Sequence, residues 1–416
     1  MAPRAPAALL VGRQQARTFF AYQKTSPAVT SLVEQAVRDE TRRQRDELVL
    51  IPSESICYPE CEKVLASPFG NIYAEGQPDL RLSRSDRVEL LAKHYVANTF
   101  ARLEGGISAD RIHANVQALS GSPANLAIYA GLLRPGDRLL TLHLSHGGHL
   151  SHGSPFNVSG KLYATTQYQI DPNSRKLDYD AIARLAQEKR PAMIVGGASA
   201  YPFDWDWARL REIADDVGAL LHADVCHLAG LIIGGQLQNP LPYADTVMFT
   251  THKTLMGPRG AVIVTKDKDM ARRIDNAVFP GMQGGPHMNS IAGIARMFEL
   301  IDHHYDDYKE LQRLVVHNSK VFADALVSQG FSLEYGGTEN HMVLIDLKKY
   351  RVADGCPLDG ETASRLLENV GIIVNKNTLP GDENASDSSG LRVATPWLTQ
   401  RGVTDAQIHE LATIMQ

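Results

Sequence analysis

The sequence predicts an α/β protein: a large domain on a mostly parallel sheet, followed by a smaller α+β domain at the C-terminal end. Three observations carry that prediction. Short apolar runs rich in β-branched residues recur from residue 138 to residue 264. Helix-patterned stretches of roughly 10–15 residues separate them, the signature of βαβ units. Beyond Gly285 helix periodicity takes over, and short strand-like runs then return between glycine-punctuated loops.

In chain order, residues 30–46 place Leu32, Val33, Ala36 and Val37 at helical spacing among charges, an amphipathic helix. Residues 48–52 are a short apolar, strand-like run. Residues 86–103 return to helix, with Val88, Leu91, Ala92, Tyr95, Val96 and Phe100 on one face. Alternation follows: helix at 125–133, strand at 138–142, a short strand at 162–164, helix at 179–188, strand at 193–195 and helix at 208–217. The apolar runs at 220–223, 246–249 and 262–264 read as buried strands. Residues 290–328 read as helical. The smaller domain then shows strands at 331–334 and 342–347, a helix at 361–370, strands at 372–374 and 391–393, and a helix at 405–415. Residues 381–390, polar and acidic, read as a surface loop. The expected organisation is an N-terminal extension and arm helix over 1–47, a large domain over 48–295 and a small domain over 296–416.

A chain of 416 residues exceeds one compact core. Its 44% hydrophobic and 21% charged content excludes wholesale disorder, a collagen-like helix and a disulfide scaffold. A net charge of −5 offers no electrostatic footprint for nucleic acid. No apolar run approaches the ~20 residues that span a bilayer, so no membrane association is expected. Four cysteines in such a length point to a reducing compartment, hence a cytoplasmic protein. The first 33 residues carry Arg4, Arg13, Arg17 and Lys24 but no Asp or Glu, a bias that also fits targeting to the mitochondrial matrix.

Chemistry concentrates in three places. Lys253 stands in Thr250-Thr251-His252-Lys253-Thr254, directly after an apolar strand and before Gly257-Pro258-Arg259-Gly260. Burial and nearby positive charge lower an amine's pKa and make it a nucleophile toward a carbonyl carbon; a solvated loop lysine is the alternative. Asp224 ends the run Leu221-His222-Ala223-Asp224, where open α/β sheets bind their ligands. A carboxylate there can keep a pyridinium nitrogen protonated, as pyridoxal phosphate requires of its partner; a helix cap is the alternative. Ser120-Gly121-Ser122-Pro123-Ala124-Asn125 opens a helix with small residues, leaving N–H groups free for phosphate. Phosphate cup, acid and lysine follow in that order.

His146, His149 and His152, with His222 and His227, raise zinc as a competing reading. Gly147-Gly148 opposes a helix that would align the first three, and no matching carboxylate set accompanies them, so no metal is expected. Stacking of one ring on a planar cofactor is the better use. Cys57 and Cys61 could share a helix face, but two thiols do not make a zinc site.

With these residues in view, the chain closely resembles the serine hydroxymethyltransferase family of fold-type I pyridoxal-phosphate enzymes, from about Leu48 to Leu411. The segments that carry the resemblance include Leu50-Ile51-Pro52-Ser53-Glu54-Ser55, Tyr73-Ala74-Glu75-Gly76 and Ser145-His146-Gly147-Gly148-His149-Leu150-Ser151-His152-Gly153. Gly197-Ala198-Ser199-Ala200-Tyr201-Pro202, Asp224 to Leu231, Thr250 to Gly260 and Phe279-Pro280-Gly281-Met282-Gln283-Gly284-Gly285-Pro286 follow. Val374-Asn375-Lys376-Asn377-Thr378 and Arg392-Val393-Ala394-Thr395-Pro396 complete the set.

The resemblance implies a seven-stranded sheet in the large domain and transfer of the serine hydroxymethyl carbon to tetrahydrofolate, leaving glycine. It also implies the roles of individual residues. Lys253 bonds pyridoxal 5'-phosphate covalently, Asp224 pairs the ring nitrogen and His149 stacks on the ring, with Thr250 beside them. Ser199 and His227 hold the phenolic oxygen side; Gly121, Ser122 and His252 bind the phosphate. Tyr73 and Gly285 reach in from a neighbouring subunit, so a homodimer or tetramer with shared sites is implied. Arg392 clamps the amino-acid carboxylate, helped by Ser53 and Asn375. Glu75 is the general acid/base near the substrate hydroxyl and folate, and Leu144, Gly148 and Leu150 lie along the pterin.

The sequence departs from the family after Gly76. A Tyr-Tyr-Gly-Gly segment usually closes over the substrate there, whereas this chain reads Gln77-Pro78-Asp79-Leu80-Arg81-Leu82-Ser83-Arg84-Ser85-Asp86-Arg87. Ser55 stands where the family usually has Asn. A folate-independent β-hydroxy-amino-acid aldolase or transaldolase, and a catalytically impaired cofactor-binding homologue, are therefore carried as alternatives.

Overall fold

The computed structural model describes residues 31–78, 85–103, 105–352, 355–382 and 388–416. The acid-poor residues 1–30, most of the stretch after Gly76 (79–84) and the centre of the expected 381–390 loop lie outside them. The chain divides into two compact units, Met1–Glu47 and Leu48–Gln416. In the first, the helix Leu32–Asp46 starts at Ser31, whose hydroxyl accepts the Glu34 N–H. None of its residues is buried, and Leu32, Val33 and Val37 are exposed.

The second unit carries thirteen short strands among its described residues. They are β1 (Leu48–Val49), β2 (His113–Asn115), β3 (Arg138–Leu142), β4 (Ala164–Tyr168), β5 (Met193–Gly196), β6 (Leu220–Asp224), β7 (Thr246–Thr250) and β8 (Ala261–Thr265). Toward the C-terminus follow β9 (Ser332–Leu333), β10 (Met342–Asp346), β11 (Ile372–Ile373), β12 (Asn375–Asn377) and β13 (Gly390–Ala394). Seven of them form the central sheet in the order β2-β8-β7-β6-β5-β3-β4. The pairs from β7 to β4 are parallel, and β8 runs antiparallel to both its neighbours.

Helices cover both faces of this sheet, which is why its inner strands read as unbroken apolar runs. Side chains alternate between the two layers. Leu139, Met193, Val195, Met248 and Ile263 pack against the helices Gly121–Leu132 and Lys268–Asn276 through Ile128, Tyr129 and Ile274. Leu140, Ile194, Leu221, Val247 and Val264 face the opposite layer, with Val96, Phe100, Leu210 and Phe298. A second, antiparallel sheet, β12-β13-β10-β9, joins the helices Tyr305–Ser328 and Asp405–Met415 in a separate core with Phe322, Leu326, Val343, Val393 and Leu411. β1 pairs in parallel with β11, so Leu50 belongs to that core too.

Two expectations are corrected. Residues 162–164 are not a strand: Asn157 caps a short helix, Val158–Leu162, and β4 begins at Ala164. β4 is an edge strand whose Thr165, Thr166 and Gln167 are only half-buried, so it lacks the apolar run of its neighbours. The 290–328 stretch is two helices, Met288–His303 and Tyr305–Ser328, broken where His304 leaves helical geometry (φ −125, ψ 41). No helix among the described residues is long and apolar enough to cross a membrane.

Candidate active site

The carboxyl ends of β3, β5, β6 and β7 open into one cavity of about 240 Å³. It lies where the sheet's connections diverge, since β3 pairs with β4 on one side and with β5 on the other. Ser120, Gly121 and Ser122 line it, as do His149, Ser199, Asp224, Cys226, His227, Thr250, His252 and Lys253.

Asp224 is the last residue of β6 and is buried. Its Oδ2 accepts the Asn125 Nδ2–H at 2.8 Å and lies 2.9 Å from His152 Nε2; its Oδ1 accepts the Cys226 N–H at 3.1 Å. Burial alone pushes this carboxyl up, but the His152 bond and charge, the nearby His149 and the Asn125 bond outweigh it and hold it well below the usual range. The group is thus an ionised carboxylate at the base of the cavity.

The helix Gly121–Leu132 points its N-terminus at the same space. Ser120 stands at its N-cap without making a side-chain capping bond, so the first helical N–H groups are left for a ligand. A Cβ on Gly121 would lie 2.9 Å from Thr250 Cγ2 and 3.3 Å from Cys226 Sγ, so glycine is what lets the helix start this close to β7. His252 and Arg259 also line the cavity. Burial, with Lys253 and Arg259 nearby, pushes the His252 ring down to about 3, and its Nδ1 has no partner.

Lys253 follows β7 in a tight loop, in which Thr251 Oγ1 donates to the Pro258 carbonyl at 2.5 Å and Met256 N–H donates to Lys253 O at 2.9 Å. Thr250 Oγ1 lies 3.5 Å from the Cys226 carbonyl. On the opposite wall, the chain after β3 makes a 3-10 turn, Leu144–His146, and Gly147 then adopts φ 98. A Cβ on Gly148 would come within 2.2 Å of the Leu142 carbonyl oxygen. That turn aims His149 into the cavity, its Nδ1 2.8 Å from Ser151 Oγ; burial and the neighbouring His152 push the ring down to about 4.

Ser199 Oγ donates to Gly148 O at 2.9 Å, and the Ser199 carbonyl accepts from Arg392 Nη1. Arg392, on β13, also donates from Nη2 to Asn375 Oδ1 at 3.0 Å, while its Nε has no partner. Burial pushes the guanidinium down to about 10. His227 stacks on His341 with ring centroids 5.8 Å apart; both are buried, and neither Nδ1 has a partner.

The structure therefore brings Lys253, Asp224, His149, Thr250, Gly121, Ser122, Ser199, His227 and His252 to one cavity, with Arg392 and Asn375 linked to its wall through Ser199. Tyr73, Glu75 and Gly285 do not line it. They lie together instead: the Cβ position of Gly285 is 3.1 Å from the Tyr73 ring and 3.4 Å from Glu75 Cγ, and Tyr73 is exposed. Ser53, Leu144, Gly148 and Leu150 are likewise outside the lining, with Leu150 exposed. The suspected histidine cluster disperses. His146 Nδ1 accepts the Ile170 N–H at 3.1 Å, while His149 and His152 turn to Ser151 and Asp224.

Sequence reasoning assigned no role to Asn125, His152, Cys226 or Arg259. Asn125 carried a usable signal: it stands four residues after Gly121, hence on the same helix face as the phosphate cup. His152 carried none, because its role depends on a contact across 72 residues. The family model described as serine hydroxymethyltransferase matches residues 28–415 of the chain.

Proposed function

The chain belongs to the serine hydroxymethyltransferase family, and from that premise we propose that it moves the hydroxymethyl carbon of serine to tetrahydrofolate, leaving glycine, with pyridoxal 5'-phosphate as cofactor. The observation that carries the reading is one cavity holding a lysine, an ionised Asp224 and an uncapped helix N-terminus.

The residues present fit this cofactor. The free N–H groups at Gly121 and Ser122, with His252, suit a phosphate. The unpartnered Arg392 Nε, on a side chain otherwise held by neutral acceptors, suits an amino-acid carboxylate. When bound, pyridoxal phosphate supplies an electron sink for the charge left on the amino acid as its Cα–Cβ bond breaks. Lys253 would hold it through the side-chain amine, Asp224 would keep the proton on the ring nitrogen, and His149 would lie against the ring face. Ser199 and His227 would contact the phenolic side.

Arg392 would orient the substrate carboxylate, with Asn375 holding the guanidinium in its plane. Glu75 would take the proton of the substrate hydroxyl. Because Tyr73, Glu75 and Gly285 sit together outside their own chain's cavity, we read them, with Ser53, as completing the site of a neighbouring subunit in a homodimer or tetramer. Leu144, Gly148 and Leu150 would bear the pterin. Four free cysteines support the cytoplasmic reading.

The test is an absorbance spectrum of the purified protein with pyridoxal phosphate, then with glycine and tetrahydrofolate. A visible band absent from Lys253→Ala is expected, with a new long-wavelength band once both ligands are added. No visible band would end the cofactor reading. A band that answers glycine but ignores folate would favour the folate-independent aldolase, which the altered sequence after Gly76 also supports.

A further inference from the structure

Behind Asp224 lies a buried polar chain that nothing in the proposed chemistry uses directly. Thr246, His222, Asn125 and Ser151 are all 0% exposed. His222 Nδ1 is 2.8 Å from Thr246 Oγ1, and its Nε2 is 2.9 Å from Asn125 Oδ1. The Asn125 amide spends both N–H groups toward the cavity, one on Asp224 Oδ2 and one on Ser151 Oγ, each at 2.8 Å. Ser151 Oγ in turn meets His149 Nδ1 at 2.8 Å.

Donor and acceptor counting gives this chain one direction. Asp224 is ionised and can only accept, so the Asn125 NH2 faces it and Asn125 Oδ1 needs a donor. His222, with its ring pushed down to about 4 by burial, is neutral and has one N–H to give. That N–H sits on Nε2, facing Asn125 Oδ1, so Nδ1 accepts from the Thr246 hydroxyl, which anchors the other side of the ring. Tyr129 packs edge-on to the ring, centroids 6.1 Å apart. Were His222 to lose that N–H, Asn125 Oδ1 would be a buried acceptor without a donor, and the amide would have to shift to find one, loosening its bonds to Asp224 and Ser151.

We propose that His222 is a positioning residue: by satisfying Asn125 Oδ1 it holds the amide that orients both the Asp224 carboxylate and, through Ser151, the His149 ring. Oδ2 of Asp224 already accepts two hydrogen bonds and Oδ1 one, so the second lone pair of Oδ1 is the acceptor left for the ring nitrogen. This rests on the cofactor reading given above.

The experiment loads ¹⁵N-labelled pyridoxal phosphate into the wild type and into His222→Leu, His222→Gln and Thr246→Val. In His222→Leu the ring-nitrogen resonance moves toward the unprotonated position and the cofactor dissociation constant rises about tenfold, the worth of one buried hydrogen bond. His222→Gln, whose amide N–H reaches the same Asn125 oxygen, restores both. Thr246→Val, which leaves Nδ1 without its donor and the ring without its second anchor, shifts the resonance the same way. It decides the question alone if His222→Leu fails to fold. Wild-type resonance and affinity in His222→Leu and Thr246→Val would overturn the positioning role while leaving the cofactor reading intact. A wild type that takes up no pyridoxal phosphate would overturn that reading and this inference with it.

Discussion

Arg392 keeps a positive charge among neutral acceptors, the Ser199 carbonyl and the Asn375 amide, and no ion pair to it occurs among the described residues. A partly desolvated guanidinium in that state gains most from a carboxylate brought by a ligand. Arg392→Ala should therefore weaken glycine binding by about 3 kcal/mol, roughly 100-fold, in a titration of the cofactor-loaded protein. An unchanged affinity would place the carboxylate elsewhere. At this scale the sequence was legible where a residue type stands at a telling place: Lys253 and Asp224 could be singled out at the ends of apolar runs, whereas Arg392 came only with the family resemblance. It was silent on His152 and gave Asn125 only a place on the helix face of the phosphate cup; both matter through what they touch after folding.

The helix Gly121–Leu132 shows how an element serves the site. Its first residue must lie almost against the end of β7, and only the missing Cβ allows it. Gly121→Ala should push the helix start away from Thr250 and Cys226 and raise the pyridoxal phosphate dissociation constant about tenfold or more. The nearest obstructing atom, Thr250 Cγ2, belongs to a stiff β-branched residue on a buried strand, so the melting temperature should fall by a few degrees as well. Affinity equal to the wild type would mean the phosphate does not sit at this helix end. Elements buried on both sides, such as β5, β7 and β8, were readable because their environment is uniformly apolar. The edge strand β4 and the three-residue β2 were not: half-exposed or very short strands leave no run to detect. The break at His304 was missed for a similar reason, since both flanking helices keep the same periodicity.

Across the whole molecule, burial keeps several imidazoles neutral. His222 and His341, both fully buried, are pushed down to about 4 and about 3. The unfolded chain takes up protons at these rings below about 6.5 while the folded chain refuses them, so stability is full above that value and falls as the pH drops. The loss continues until the folded values near 4 and 3 are reached. Between pH 7 and pH 5 each ring should remove about 2 kcal/mol, and His146, His149 and His252, shifted the same way, add to the trend. Asp224, held well below its usual range, stays ionised throughout that window. Denaturant midpoints at the two pH values check this; equal midpoints would show that the rings are not held neutral. The overall two-sheet plan was legible from the alternation of patterns, but the pairing of β1 with β11 was not, because nothing local in Leu48–Val49 names so distant a partner. That pairing bears on the order of assembly. Leu48 and Leu50 donate to Gly371 and Ile373, Leu50 accepts from Ala394, and Gln400 grips both the N–H and the carbonyl of Ile56. A growing chain leaves the ribosome from its N-terminus, so the strand leading to Ser53 has to wait for partners made more than 300 residues later, 344 in the case of Ile56 and Gln400. The stretch from Leu48 to Ile56 is thus anchored only once residues 371–400 have been made, and a product stopped before Gln400 would lack its clasp.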